Sequence, residues 1–255
     1  MGSEFDLEGQ VALVTGGNSG IGLGMAEGLA KAGSDVCIWG RNEARNEEAR
    51  ARLAAHGVRA HAVACDVGSP EQVEAAFAET LAELGRIDSC FACAGVPPHG
   101  NRFLDLTLEE FREILRVNLD GAFLTLQGAA RDMVERGEGG SLVGIASLAA
   151  LSGQPRGQHY AASKGGLIAM VNSCAVELAR YGIRANSILP GWIESGMTEE
   201  MLASQPMIDR VLPRVPARRW GTGEDFAGIA VYLAGEASRY HSGDSFLIDG
   251  GYRVF

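Results

Sequence analysis

Tyr160 and Lys164 are the two residues whose types and spacing best suit catalysis. On a helix, residues four positions apart lie on one face, so the phenol and the ammonium would point into the same space. A cation beside a phenol favours the phenolate and lowers the pKa of the phenol toward neutrality. Such a tyrosine can give a proton to a carbonyl oxygen or take one from an alcohol. Alone, however, this spacing is more typical of a solvated surface contact.

A glycine-rich turn runs from Thr15 to Gly22 with the sequence TGGNSGIG. It lies between an apolar run at 11–15 and a helical pattern that begins at Gly20. Glycines at such a junction let the backbone approach a pyrophosphate, which then sits at the N-terminus of the helix. The spacing is Gly-x-x-x-Gly-x-Gly rather than Gly-x-Gly-x-x-Gly. A turn that merely requires positive φ is the alternative, but its place at the start of the chain favours phosphate binding.

Strands and helices alternate along the chain. Apolar runs predict strands at 11–15, 35–39, 61–65, 87–92, 141–146, 183–189 and 246–248. Helical patterns predict helices at 20–32 and 43–56, from Pro70 onward, from the capping box at Thr107 to beyond Asn118, from Tyr160 to about 181, and at 224–234. This order predicts an α/β fold, a single Rossmann-like, doubly wound domain over 6–255, with a mainly parallel sheet of about seven strands and helices on both faces. Residues 1–5 read as an expression-tag remnant.

Composition argues against several classes of partner. The 255 residues carry a net charge of −10, which disfavours nucleic acid and anionic membranes. No apolar run reaches membrane-spanning length. The cysteines are odd in number and lie in apolar segments, which predicts reduced thiols in a cytoplasmic protein; they are Cys37, Cys65, Cys90, Cys93 and Cys174. Cys90 and Cys93 would face opposite sides of a strand, so we expect neither a redox pair nor a metal site.

The end of the second predicted strand should distinguish NAD from NADP. A carboxylate there binds the ribose hydroxyls, whereas an arginine accepts a 2′-phosphate. Gly40 occupies the acidic position and Arg41 follows it, while Asp35 lies at the opposite end of the strand. The alternative for Arg41 is a solvated residue at the start of a charged helix. We predict a preference for NADP(H), with NAD(H) possible.

Several motifs occur together in one order along the chain. They are Thr15–Gly22, Cys65-Asp66-Val67, Ala92-Cys93-Ala94-Gly95, Asn118, Ser147, Tyr160-x-x-x-Lys164 and Pro190-Gly191. Over 6–255 the chain resembles a short-chain dehydrogenase/reductase of the single-domain type. The resemblance implies an NAD(P)(H)-dependent oxidoreductase that interconverts a ketone and a secondary alcohol of a small molecule by hydride transfer.

The same resemblance assigns four catalytic residues. Tyr160 would act as acid and base, and Ser147 would hydrogen-bond the substrate oxygen. Lys164 would bind the nicotinamide ribose and lower the pKa of the tyrosine. Asn118 would hold a water that joins Lys164 to solvent. The purely structural alternatives are that Ser147 only caps a strand and that Asn118 only satisfies backbone groups at a helix kink.

The resemblance also implies a set of cofactor-binding residues, in which Asp66 and Val67 contact adenine and Ile193 meets the carboxamide through its backbone. Ser195 stands where the family often has threonine. The full set is Gly16, Asn18, Ser19, Gly20, Ile21, Gly22, Arg41, Asp66, Val67, Cys93, Ala94, Gly95, Tyr160, Lys164, Pro190, Gly191, Ile193 and Ser195.

One residue departs from the family pattern. The family usually has Asn-Asn-Ala-Gly after the fourth strand, where this chain has Ala-Cys-Ala-Gly, so Cys93 replaces an amide. A thiol is a weak donor, so we expect this corner to be looser or to be held by backbone groups. No basic residue adjoins Cys93 in sequence, and we do not expect it to be a nucleophile.

Three stretches, 96–103, 148–158 and 192–210, should surround the substrate by resemblance. Their side chains mix apolar and polar groups: Trp192, Met197, Met201, Met207, Gln154, Arg156 and His99. The methionine-rich segment is expected to be a mobile lid, and His159 is expected at the rim of the site.

The sequence leaves several functions open. Within the family these are a carbonyl reductase, a sugar or polyol dehydrogenase and a 3-oxoacyl reductase; outside it, a non-catalytic dinucleotide-binding regulatory protein. The C-terminal segment resembles a subunit interface, which implies a homotetramer first and a dimer second.

Overall fold

Seven strands form one sheet in the part of the chain that the computed structural model describes, residues 4–98, 100–196 and 198–255. They are β1 (Val11–Thr15), β2 (Asp35–Gly40), β3 (Ala60–Ala64), β4 (Ser89–Ala92), β5 (Gly140–Ile145), β6 (Ile183–Pro190) and β7 (Ser245–Ile248). The spatial order is β3-β2-β1-β4-β5-β6-β7, and each neighbouring pair is parallel. The predicted α/β fold is confirmed. Because the order reverses between β1 and β4, the carboxyl ends of these strands flank the crevice where such sheets bind ligands.

The α-helices fill the connections between these strands. They are α1 (Gly20–Lys31), α2 (Glu43–Ala54), α3 (Pro70–Leu84), α4 (Leu108–Leu115), α5 (Gly121–Arg136), α6 (Gln158–Leu178), α7 (Glu199–Leu202), α8 (Gln205–Arg210) and α9 (Ala227–Ala234). Two predicted helix starts are confirmed by their capping hydrogen bonds. Ser69 caps α3 ahead of Pro70, and Thr107 forms a capping box with Glu110 at the start of α4. A π-helical turn over Arg116–Asp120 joins α4 to α5.

Two apolar layers cover the two faces of the sheet. Alternate residues of β1 enter different layers, Leu13 on one side and Ala12 with Val14 on the other, as the period of two in a strand requires. Cys90 belongs to the first layer, whereas Cys93 packs against the second. The prediction that these two cysteines face opposite sides is therefore confirmed, and all five cysteines are free thiols.

The fourth strand is shorter than the sequence suggests. It begins at Ser89 rather than at residue 87. The N–H of Ile87 donates to Asp132, and a carboxylate oxygen of Asp88 accepts from the N–H of Val11. The backbone of Asp88 still bonds to Val11 and Ser141, whereas the N–H and the carbonyl of Ile87 bond to the side chains of Asp132 and Arg136.

Five residues lie outside the described part of the chain: Met1 to Ser3 at the N-terminus, and His99 and Met197 in the expected substrate region. The carbonyl of Glu4 accepts a hydrogen bond of 3.4 Å from the N–H of Ala237. Among the described residues, no helix combines the length and the apolar character needed to cross a membrane.

Candidate active site

The residues expected to do chemistry meet at the carboxyl edge of the sheet. Thr15 ends β1 and Pro190 ends β6. The segment 92–95 leaves β4, and Ser147 lies two residues beyond β5. Four neighbouring strands therefore deliver their loops to one crevice, and the N-terminal part of α6 closes it from one side.

α6 brings Tyr160 and Lys164 together on one face. The Nζ atom of Lys164 lies 5.8 Å from the centroid of the Tyr160 ring. The same atom donates a hydrogen bond of 2.7 Å to the carbonyl oxygen of Ile145, at the end of β5. Only 4% of the surface of Lys164 is exposed, so the ammonium is hydrogen-bonded to the sheet and largely shielded from water.

Burial dominates the proton affinity of both groups. It raises the pKa of Tyr160 above its usual value, and the hydrogen bond with Ser147 opposes that rise only in part. Burial also lowers the pKa of Lys164 to about 8. In the protein alone the pKa of Tyr160 thus moves away from neutrality, because desolvation of the phenolate dominates. The lowering of this pKa by Lys164 stays a prediction.

Ser147 presents its hydroxyl to the phenol of Tyr160. Its backbone is extended, and its Oγ accepts a hydrogen bond of 3.1 Å from the N–H of Ala149. That bond orients the hydroxyl, which in turn hydrogen-bonds to Tyr160. Two hydroxyl groups held in contact offer one oxygen of a bound ligand two hydrogen-bond partners. Ser147 is thus more than a cap.

Asn118 lies in the π-helical turn and is fully buried. Its Oδ1 accepts from the N–H of Val96 at 2.7 Å, and its Nδ2 donates to the carbonyl of Val96 at 3.0 Å. The side chain therefore clamps the loop that follows β4. A Cβ on Gly95 would lie 3.1 Å from Asn118 Oδ1 and 3.6 Å from Lys164 Nζ. One N–H and one lone pair of the amide are thus used by Val96, and the role of Asn118 in a proton relay stays a prediction.

The glycine turn is shaped by close contacts within its own backbone. Gly16 and Gly20 have φ values of 66° and 52°, a region that favours glycine. A Cβ on Gly22 would overlap the carbonyl oxygen of Gly16. Ser19 makes no side-chain cap on α1, and no acidic residue lies in the first turn of that helix. The N-terminal N–H groups of α1 are therefore left for an anion.

Replacing Gly22 with alanine should lower the free energy of unfolding by about 1–3 kcal/mol and weaken nucleotide binding, since the backbone carbonyl it meets cannot move without opening the turn. Chemical denaturation with a nucleotide titration measures both. Gly228 in α9 is the matched control, because a Cβ there meets nothing within 4 Å and alanine in a helix should add about 1 kcal/mol. Equal behaviour of the two variants would contradict the packing argument.

Cys93 stands at the floor of the crevice, where the family pattern has asparagine. Its N–H and that of Ala94 both donate to the Oγ1 of Thr15 at 3.0 Å. Backbone groups thus hold this corner, which was one of the two outcomes expected. Burial raises the pKa of the Cys93 thiol to about 11, although the nearby Lys164 lowers it slightly. The side chain is a thiol at neutral pH, in line with the expectation that it is not a nucleophile.

The residues expected near the adenine end lie around the carboxyl ends of β2 and β3. Asp66 forms an ion pair of 3.3 Å with Arg116, and its Oδ1 accepts from the N–H of Gly68. Val67 is buried. Arg41 is exposed and makes no ion pair with any of the described residues. The structure leaves this cation available at the end of β2.

The segment after Pro190 folds back over the glycine turn. The Cβ of Ser195 lies 3.0 Å from the position of a Cβ on Gly20. Ile193 is buried and forms a parallel bridge with Gly221, and the N–H of Gly191 donates to Ile248. The contact with Gly20 places Ser195 beside the turn, and cofactor binding by Ile21, Ile193 and Ser195 stays a prediction.

The expected substrate region lies on the rim of the crevice. Trp192 packs edge-on against Tyr252 with their ring centroids 6.0 Å apart. Met201 is exposed, Met207 is half-buried, and Gln154 packs beneath Gly157. Arg156 is exposed and has a φ of 61°, an unusual conformation for a residue with a side chain. Of these five side chains, Arg156 carries the one charge, and it is exposed.

Three residues were misjudged or missed. His159 was expected at the rim but is fully buried, because it begins the stripe of α6 that continues through Ser163 and Leu167. That four-residue period was visible in the sequence. Thr15, which braces the β4 loop, is a polar residue at the end of an apolar run, and that was its signal. Asn46 is buried against Asn18, and nothing in the sequence of the charged α2 marks it.

Comparisons with known proteins agree with this geometry. Residues 16–253 match the family described as Enoyl-(Acyl carrier protein) reductase. An L-rhamnose 1-dehydrogenase (NAD(P)(+)) from a Sphingomonas species is 37% identical over 97% of this chain and 98% of its own. A solved short-chain type dehydrogenase/reductase from Mycobacterium marinum has a TM-score of 0.92 at 36% identity, covering 97% of both chains. A gluconate 5-dehydrogenase from Burkholderia cenocepacia, solved with NADP and tartrate, has a TM-score of 0.93 at 34% identity, covering 99% of this chain and 98% of its own.

Proposed function

This chain belongs to the short-chain dehydrogenase/reductase family, and we propose that, as an NAD(P)(H)-dependent oxidoreductase, it interconverts a secondary alcohol and a ketone on a sugar or sugar acid. The observation that carries the proposal is the convergence of Ser147 and Tyr160 beside the buried Lys164, at the mouth of the glycine turn. A binding protein without turnover would not need two contacting hydroxyl groups next to a buried lysine whose pKa is lowered. The regulatory alternative is therefore disfavoured.

The residues present fit a nicotinamide dinucleotide. The uncapped start of α1 and the close-packed glycines leave a backbone cradle for the pyrophosphate. Arg41 suits a 2′-phosphate, so NADP(H) is the preferred cofactor and NAD(H) is second. When bound, the nicotinamide ring supplies or accepts the hydride.

The protein's own side chains position the substrate and transfer one proton. Ser147 and Tyr160 hold the substrate oxygen between their hydroxyls, which fixes the attached carbon in the crevice. Tyr160 takes the alcohol proton during oxidation and returns a proton to the carbonyl oxygen during reduction. Lys164 lies beside the phenol and favours its ionised form once it is itself protonated. The clamp of Asn118 on Val96 keeps the floor of the site in place.

The substrate class rests on two supports. Relatives of this length and identity are named for rhamnose and gluconate, and the rim combines the polar side chains of Gln154 and Arg156 with apolar ones. A net charge of −10 disfavours docking of an acidic carrier protein, which makes 3-oxoacyl reduction the second candidate.

The direct test is a fluorescence titration with NADPH and NADH, followed by an activity panel of sugars, aldonates and simple ketones. We expect tighter binding of NADPH and turnover with at least one polyhydroxylated substrate. Binding of neither nucleotide would refute the proposal. Turnover restricted to acyl thioesters would favour the second candidate.

Replacing Arg41 with alanine should raise the Kd of NADPH roughly 10- to 100-fold, the usual cost of losing a charge-assisted hydrogen bond. The Kd of NADH should change little, since NADH lacks the 2′-phosphate. Arg45→Ala is the control, because Arg45 is also exposed and lies four residues further on, in α2. An unchanged Kd of NADPH would mean that Arg41 does not bind the phosphate.

We further propose a homotetramer, with a dimer as the second choice, in a reducing compartment such as the cytoplasm. Four apolar side chains, Phe103, Leu104, Leu108 and Phe123, are exposed before and along α4 and α5, and such a surface favours association with another subunit. The five free thiols support a reducing environment. Sedimentation analysis measures the assembly directly.

A further inference from the structure

Asn46 is a buried amide whose hydrogen bonds join three separate parts of the fold. It lies on α2 with 3% of its surface exposed. Its Nδ2 donates to the carbonyl of Gly40 at 2.8 Å and to that of Val63 at 3.1 Å. Its Oδ1 accepts from the Nδ2 of Asn18 at 2.7 Å. Asn46 therefore ties the ends of β2 and β3 to the glycine turn.

The bridge between Asn18 and Asn46 fills the space beside Gly40. A Cβ on Gly40 would overlap the Nδ2 of Asn18 and would lie 2.5 Å from the Oδ1 of Asn46. Gly40 is not among the glycines with positive φ, so glycine is required there for space and not for backbone conformation. The position where this fold places a ribose-binding carboxylate is closed by two neutral amides.

The same hydrogen bonds fix the turn that carries Arg41. On one side, Asn46 holds the carbonyl of Gly40. On the other, Asn42 caps α2 by accepting from the N–H of Arg45 at 2.9 Å. Arg41 thus extends from a turn that is held at both ends. A preorganised cation loses less conformational entropy when it binds an anion.

We infer that Asn46 is a specificity-determining positioning residue for the dinucleotide. It holds Asn18 in the space beside Gly40, which excludes a ribose-binding carboxylate side chain from position 40, and it fixes the turn that carries Arg41. Both effects select NADP(H) over NAD(H). The inference rests on the proposed nucleotide-binding function. It assigns the preference for NADP(H) to Asn18, Gly40, Arg41 and Asn46 together rather than to Arg41 alone.

The first test is Asn46→Leu, which keeps a similar volume and removes all three hydrogen bonds. We expect the Kd of NADPH to rise ~10-fold and the Kd of NADH to stay within ~2-fold of the wild type. Nucleotide fluorescence gives both constants, and thermal unfolding reports on the fold. An equal rise in both constants would reduce Asn46 to a structural residue and overturn the inference.

The second test asks whether the bridge excludes a side chain at position 40. Gly40→Asp alone should weaken both nucleotides, because the new side chain meets the two amides. Gly40→Asp combined with Asn46→Ala should bind NADH more tightly than NADPH. The pair Gly40→Asp with Asn18→Ala opens the same space without touching the buried Asn46, and it should do the same even if the first pair folds poorly. If Gly40→Asp alone already prefers NADH as strongly as the pairs, the bridge excludes nothing.

Asn186→Leu is the matched control for Asn46→Leu. Asn186 is also a buried amide with two backbone partners, the carbonyl of His241 and the N–H of Asp244, but it lies on β6. This variant should lose stability and leave the ratio of the two Kd values unchanged. A wild-type protein that binds neither nucleotide would refute the proposed function itself, whereas a wild type that prefers NADPH with an unchanged ratio in Asn46→Leu would refute this inference alone.

Discussion

Replacing Tyr160 with phenylalanine should lower kcat by ~10²–10⁴-fold, the usual contribution of a positioned acid or base. The change removes one oxygen and keeps the ring that lies beside Lys164. The Kd of the nucleotide should therefore stay near that of the wild type. Steady-state kinetics and nucleotide fluorescence, measured on the same preparation, separate the two effects.

Tyr181→Phe is the control for that experiment. Tyr181 follows the other end of α6 and is 38% exposed, so the loss of its hydroxyl should change neither kcat nor binding. A Tyr160→Phe enzyme with full turnover would exclude Tyr160 as the acid and base. A protein with nucleotide binding but no turnover in either form would instead support the regulatory alternative.

The parts of the site that could be predicted are those that repeat local rules. The glycine turn and the Tyr160–Lys164 pair each combine a spacing with an element that the sequence already indicates. The alternation of apolar and helical segments, with caps at Ser69 and Thr107, likewise predicts the sheet and most helix boundaries. Local patterns of this kind carry their own geometry.

The parts that escaped prediction depend on contacts between distant segments. Asn46 has three partners on two strands and one loop, and no periodicity in α2 distinguishes it from its exposed neighbours. The pKa of Tyr160 depends on how much water the assembled loops exclude, which spacing alone does not reveal. Just before β4, the N–H of Ile87 donates to Asp132, far along the chain. Effects of this kind can be described only once the folded structure is known.

Replacing Lys164 with methionine should lower kcat by on the order of 10²-fold or more while making the fold more stable. The wild-type protein buries an ammonium whose pKa falls from 10.5 to about 8. At about 1.4 kcal/mol per pH unit, this amounts to about 3.5 kcal/mol of unfavourable burial at neutral pH. Loss of the hydrogen bond to Ile145 costs the variant about 1 kcal/mol. A net gain of about 2.5 kcal/mol in the free energy of unfolding is expected at pH 7.

The pH dependence of that gain distinguishes desolvation from ordinary repacking. The folded lysine has the lower pKa, so between pH 8 and pH 10.5 the unfolded chain binds more protons than the folded one. The stability of the wild type relative to the methionine variant therefore rises with pH across this window. The difference between the two should be largest below pH 8 and should shrink as pH approaches 10.5. A difference that stays constant with pH would mean that methionine merely packs better.

The chain offers an unusually clean control, since Lys31 and Lys164 are its two lysines. Lys31 is exposed in the last turn of α1, and Lys31→Met should change neither turnover nor the pH dependence of stability. In that background Lys164 is the remaining lysine, so isotope-labelled lysine gives one side-chain NMR signal whose titration reports its pKa directly. A midpoint near 8 supports the link between catalysis and reduced stability. A midpoint near 10.5 would show that the ammonium is hydrated, and the stability gain should then be absent as well.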